Sequence, residues 1–323
     1  MLTCRKNASI IPVKMQRGKT LCIFFAKKTI TVVSEKRKTV IKAGIKKPVT
    51  EKNMKKNLLT MQPYFVFGTE KFIQYRCFHN GISHLYAFGV SQEKNRSCMI
   101  IPDGCVNVLF GYDENGMSAK VYGTARSPQI FTPDKKEYFG IRIYQDEFAS
   151  RMRCAPQEIA DATADIDAIP VIKAYRDQLS EAKSFEKRVK ILNAFTGNSD
   201  PIFPKPKEVL LQGMKSYIAE KQGMESISEI AEEFHFSKRY INHIFQEKMA
   251  LSAKEYSEIV RFQRILFRIK EKKYTTLTDL AIEEGYYDQA HFTRNFRENM
   301  CMNPLEYVRQ LRATGFQDKI REM

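Results

Sequence analysis

Two short stretches carry side chains suited to reading nucleic-acid bases. In "SKRYINHIF" these are Arg239, Asn242 and His243, and in "DQAHFTRNF" they are Gln289, Ala290, Thr293 and Arg294. Steps of three and four residues place each set on one stripe of a helix. An arginine can pair with guanine and a glutamine with adenine. Lys238, Lys248 and Arg297 supply charges for backbone phosphates, as do the free amides at helix N-termini. Behind each stripe lie Ile241, Ile244 and Phe245, or Phe292 and Phe296, at core spacing. An isolated polar stripe is ordinarily a solvated helix face, so the case for base reading depends on the elements that carry it.

Those elements form a repeat. "SISEIAEEFHFSKRYINHIF" (226–245) lines up with "TLTDLAIEEGYYDQAHFTRNF" (276–296). Both copies open on a capping pattern, Ser226-x-x-Glu229 and Thr276-x-x-Asp279. Both continue with Ile230-Ala231 or Leu280-Ala281, turn at His235-Phe236 or Gly285-Tyr286, and restart at Ser237 or Asp288. Glycine is favoured at such a turn because left-handed φ costs it little; His235 stands there in the first copy. The pattern predicts two helix-turn-helix units. Between them "SAKEYSEIVRFQRILFRIKEK" predicts a helix of about 20 residues, roughly 30 Å long. One turn of B-DNA measures about 34 Å. Two recognition helices on such a spacer could enter successive major grooves. Arg261, Arg264 and Arg268 on the spacer read as a solvated face, and His291 as a structural residue near the aromatic core.

Residues 209–312 resemble the DNA-binding domain of the AraC/XylS family of bacterial transcription regulators. "LAIEEGYYDQAHFTRNFRENMCMNPLEYVR" follows that family's signature nearly throughout. Cys301 departs from it, as do His235, Ala250 and Ala253 in the first unit, where the family has Gly, Gly and Pro. The resemblance implies base contacts at the outward positions named above. "IIPDGCVNVLF" and "YFGIRIY" resemble, more weakly, the cupin-like sensor domains found ahead of such units.

The rest of the chain divides by composition. The formal charge of +16 lies almost wholly in residues 1–60, which hold 16 Lys/Arg against two acids, a net of +14. Residues 61–204 are neutral and residues 205–323 carry a net of +2, so overall charge is no guide to the reading domain. The leader reads as a disordered basic extension. Short β-branched and aromatic runs from "FIQYRCF" to "YFGIRIY", punctuated by "PDG" and "DENG", predict a sandwich or barrel able to enclose a small ligand. Helical spacing follows, then a proline-rich linker, "TGNSDPIFPKP". The expected fold class is α+β. A leader (1–60) precedes a β-rich sensor-like domain (61–160), a helical linker and association region (161–206), and an all-α double helix-turn-helix domain (207–323).

Seven scattered cysteines without a CxxC pair fit reduced thiols in a cytoplasm. No apolar run approaches the roughly 18 residues of a membrane span, so no membrane partner is expected. No cofactor or metal is expected either. His79 and His84 flank a turn as surface residues, and Asp103 reads as a turn residue. An enzyme carrying a DNA-binding module is the alternative, with Cys154 as its one plausible nucleophile and a packed thiol as the plainer reading. A ligand-independent regulator is the other alternative. The expected partners are double-stranded DNA and a second copy of the chain, with a small-molecule effector and RNA polymerase as further candidates.

Overall fold

The computed structural model describes residues 60–77, 81–90, 98–152, 154–165, 175–197 and 206–323, together with four strands of the leader. Those strands, β1 (Ser9–Met15), β2 (Lys19–Ala26), β3 (Thr29–Ser34) and β4 (Val40–Ala43), pair in chain order as an antiparallel sheet of their own. His79 and residues 166–174 and 198–205 lie outside the described residues.

After the short helix α1 (Pro63–Phe67), the β-branched and aromatic runs form strands as their alternation predicts. The order is β5 (Phe72–Arg76), β6 (Ile82–Gly89), β7 (Cys98–Ile100), β8 (Cys105–Asp113), β9 (Gly116–Tyr122), β10 (Gln129–Phe131) and β11 (Glu137–Tyr144). Helices α2 (Gln145–Met152) and α3 (Pro156–Ile159) and strand β12 (Thr163–Asp165) follow. The main sheet runs β12-β9-β8-β11-β6-β5-β13, where β13 (Ile320–Glu322) is the C-terminal tail. Its strands pair antiparallel except β13, which lies parallel to β5. β7 and β10 form a separate ribbon.

Both faces of this sheet are covered, which is why β11 reads as an almost continuous apolar run. On one face Phe65 of α1 stacks on Tyr86 and Phe88, with ring centroids 5.6 and 5.1 Å apart, and the ribbon adds Cys98, Ile100 and Phe131. On the other, Leu85, Val108, Phe139 and Ile141 pack against α4 (Arg176–Glu181) and α5 (Phe185–Gly197) through Leu179, Phe185 and Leu192. Gly140 lets Tyr86 cross the sheet, since a Cβ there would lie 2.2 Å from the tyrosine ring. The layout is an open sheet with a ribbon against it, nearer a sandwich than a closed barrel. Its interior is filled by aromatic side chains. An apolar cavity of ≈ 20 Å³ lies among Ile82, Ile141, Ile143, Leu179 and Leu192, with room for little more than a water molecule.

Buried polar groups sit where this sheet meets the helices. Asp103 does act as a turn residue, accepting from Cys105 N at 2.9 Å, but it also pairs with Arg142 at 3.3 Å in a fully desolvated site. His84 is buried rather than at the surface: its Nδ1 lies 2.7 Å from Ser83 Oγ, and Thr60 Oγ1 completes the group. Burial, then the nearby Arg142 charge, hold the His84 imidazole well below its ordinary pKa.

The remaining chain is helical: α6 (Pro206–Glu220), α7 (Ile227–Phe234), α8 (Lys238–Met249), α9 (Ala253–Lys270), α10 (Leu277–Glu283), α11 (Gln289–Met300), α12 (Pro304–Ala313) and α13 (Phe316–Lys319). Among the described residues, no helix is long and apolar enough to cross a membrane. The sheet region and the helical region share one core. Phe67 of α1 meets Tyr307 and Phe316 with centroids 6.0 and 5.5 Å apart, and Tyr64 Oη donates to Met300 O at 2.5 Å. Gln263 of α9 accepts from Met61 N at 2.6 Å and donates to Pro102 O at 2.7 Å.

Candidate nucleic-acid interface

Each helix-turn-helix unit is set by local chemistry that the sequence announces. In the first, Ser226 caps α7 and Glu229 returns the bond to Ser226 N at 2.8 Å. The helix ends at His235, whose φ of 57° is left-handed, and Phe236 N reaches back to Ala231 O at 3.1 Å. Ser237 then caps α8. In the second, Thr276 caps α10, Gly285 turns at φ 74°, and Tyr286 N donates to Ala281 O at 2.9 Å. Asp288 caps α11, accepting from His291 N at 2.6 Å.

The repeat also extends further than its sequence suggests at first sight. α8 and α11 both stop at a left-handed residue, Ala250 (φ 53°) and Cys301 (φ 54°). Both are followed by a capping box, Ser252–Glu255 and Asn303–Glu306, and then by a fully buried tyrosine, Tyr256 and Tyr307. Ala250 and Cys301 therefore hold a left-handed backbone without glycine, which costs some strain.

The recognition helices turn the expected faces inward: Ile241, Ile244, Phe245 and Met249 on α8, and Phe292, Phe296 and Met300 on α11. Lys238, Arg239 and His243 are exposed, as are Gln289, Ala290, Arg294 and Arg297. Asn242 is half-buried, and its Oδ1 accepts from Ala253 N at 3.2 Å, leaving its amide hydrogens as the outward donors. Thr293, also half-buried, donates to Gln289 O at 2.8 Å, and Gln289 Oε1 accepts from Thr278 Oγ1 at 3.2 Å. Lys248 is partly neutralised, 3.4 Å from Glu247. Glu247 also meets His243 Nε2 at 3.3 Å and hydrogen-bonds Lys207. Burial pushes the Glu247 carboxyl up, but the bond from Lys207 and the charges of Lys207 and Lys248 outweigh it and hold the group below its ordinary value. His291 is exposed, with its ring edge-on to Tyr286 at 5.3 Å.

The spacer arginines are a correction to the sequence reading. They do not form a solvated face. Arg264 and Arg268 bind the carboxylate of Glu284, which has no solvent exposure, at 3.0 and 2.8 Å. Arg261 lies over the Tyr286 ring, 4.6 Å from its centroid. A signal was present: Glu284 is four residues from buried Leu280, hence on the inner face of α10, and the three arginines share one stripe of α9.

Among the described residues no group of three or more His, Cys, Asp or Glu side chains is gathered as a metal site. Cys154 is half-buried, and burial together with Glu158 pushes its thiol up, away from the reactive thiolate.

Residues 230–310 match the family model described as a helix-turn-helix domain. The chain is 29% identical over 109 residues to an uncharacterized HTH-type transcriptional regulator, YijO, of Escherichia coli (strain K12), an alignment covering 32% of this chain and 36% of that one. The chain thus spans about a third of the length of that curated relative. Among solved structures it is similar to the C-terminal domain of AraT, a response regulator from Geobacillus stearothermophilus, at 19% identity and a TM-score of 0.29, over 32% of this chain and 85% of that one. It is also similar to ToxT from Vibrio cholerae, at 12% identity and a TM-score of 0.38, over 70% and 97%. The C-terminal region is a double helix-turn-helix domain.

Proposed function

We propose that this protein is a sequence-specific DNA-binding transcription regulator. It inserts α8 and α11 into successive major grooves. The observation that carries the reading is the duplication itself: two capped, left-handed-turn units joined by the 18-residue helix α9, each presenting an exposed polar stripe beside the N-terminus of its second helix. Arg239, His243 and the Asn242 amide read one groove. Gln289, Ala290, Thr293 and Arg294 read the other. Lys238, Arg297 and, less strongly, the paired Lys248 hold phosphates. The contacts of the sheet region with both units support a modulating role for it, through a small molecule or a partner such as RNA polymerase. Association through the helical linker at residues 161–206 would give a homodimer acting in the cytoplasm. Nothing in the arrangement favours the enzyme alternative.

Selection from random duplex DNA with the full chain tests this. Two preferred sequence blocks about 10 base pairs apart support it, given the helical repeat of B-DNA. Uniform recovery of all sequences contradicts it.

A further inference from the structure

We propose that Glu284 is a positioning residue for base reading: held by Arg264 and Arg268, it fixes the pose of α11 and so the bases that Gln289 and Arg294 reach. The proposal rests on the DNA-binding reading above.

Glu284 ends α10 and directly precedes the turn glycine. Its Oε1 accepts from Arg264 Nε at 3.0 Å and from Arg268 Nη1 at 2.8 Å, and its Oε2 lies 3.2 Å from Arg264 Nε. Arg268 is itself held, donating to Lys273 O at 3.0 Å and to Glu283. Two residues beyond Glu284, Tyr286 lies under Arg261 and donates to Asn295 Oδ1 at 2.6 Å. Asn295 neighbours Arg294 on α11. A continuous set of directional contacts therefore runs from the spacer helix, through the turn, to the reading helix. The first unit has Phe234 at the matching position, in edge contact with Tyr217 at 5.8 Å. That contact is apolar and weakly directional.

Charged hydrogen bonds from arginine forks are strict in geometry. Buried ion pairs add little net stability relative to apolar replacements of similar size, and fixing a unique arrangement is a role they serve in some proteins. Base hydrogen bonds fail when displaced by a few tenths of an ångström beyond their range. A loosened Glu284 cluster would thus leave the fold in place and blur the reading of one groove.

The test is selection from random duplex DNA with the full chain, as wild type, as Glu284→Gln, and as the triple variant Arg264→Leu/Arg268→Leu/Glu284→Leu. Thermal melts accompany each. The triple variant removes the charges together, so its melting should stay near that of the wild type even where Glu284→Gln unfolds. In the triple variant, discrimination should fall about tenfold in one of the two sequence blocks and stay within about twofold in the other. The salt dependence of binding should not change, because no phosphate contact is lost. A folded triple variant with both blocks intact, or with both reduced equally, overturns the positioning role. A wild type that enriches no sequence refutes the DNA-binding reading instead, and the positioning role with it.

Discussion

The two helix-turn-helix units share one local plan but differ in what holds them. The first turns at His235, packs on its own cluster of Leu211, Met214, Ile218, Ile230 and Phe245, and meets the sheet region through polar bonds at the end of α8. There Arg126 donates to Ala250 O and Gln157 to Gln246 O. The second turns at Gly285, is braced by the Glu284 cluster, and has a core continuous with the sheet through Phe65, Phe67 and Phe316. Caps and a left-handed turn define the motif in both. Support comes from tertiary contacts, which are free to diverge while the motif is retained. The consequence is mechanical: a change in the sheet region reaches α11 through shared apolar packing, and reaches the first unit mainly through polar contacts, among them the buried Lys215–Asp146 pair at 2.8 Å.

The largest expected effect comes from the two core phenylalanines. Phe245→Ala and Phe296→Ala should each cost about 3–5 kcal/mol. Amide exchange should separate them. Phe245→Ala should loosen the first unit alone, whereas Phe296→Ala should also speed exchange in α1 and the facing strands. Equal, local effects from both would break the comparison.

Next come the reading helices. Arg294→Ala should cost about 1–3 kcal/mol on the preferred sequence and relax preference at one or two base pairs. Arg297→Ala should weaken all duplexes alike, as expected of a phosphate contact. Competition binding at fixed salt on point-mutated duplexes distinguishes the two, and a uniform loss from Arg294→Ala would assign that residue to phosphate.

The turns should differ by less. Gly285→Ala forces a Cβ into left-handed backbone and should cost about 1–2 kcal/mol in denaturant titration. His235→Gly relieves the same strain while loosening the unfolded chain, so a gain of only a few tenths of a kcal/mol is expected. The smallest effect is Arg126→Ala. It removes a partly exposed anchor and should cost about 0.5 kcal/mol, seen as faster exchange at the end of α8 only.

The second unit was legible in sequence because its determinants are local. A cap, a glycine and two phenylalanines four residues apart are all found within one short window. The strands were legible for the same reason, from "FIQYRCF" to "YFGIRIY". What escaped was long-range. Phe65 and Phe316 lie about 250 residues apart, and nothing in "PYFVF" names its partner on α12 or α13. The tail "IRE" is too short to read as a strand, yet it pairs with β5. The Glu284 cluster escapes a reading by residue type, which sends helical arginines to solvent. Their common stripe, opposite an acid at a buried spacing, was the overlooked sign. Nearness to a turn suggests a surface position for His84, yet its strand continues inward and buries it.

In the proposed function the two units read two successive grooves on one DNA face. Phasing tests it most directly. On a duplex carrying both selected blocks, five base pairs inserted between them rotate one block by about half a turn. The helix α9 and the shared core cannot follow that rotation, so affinity should fall to the level of a duplex with one block destroyed. Unchanged affinity on the five-base-pair insertion would show that the units do not bind as one rigid reader, and would contradict the account.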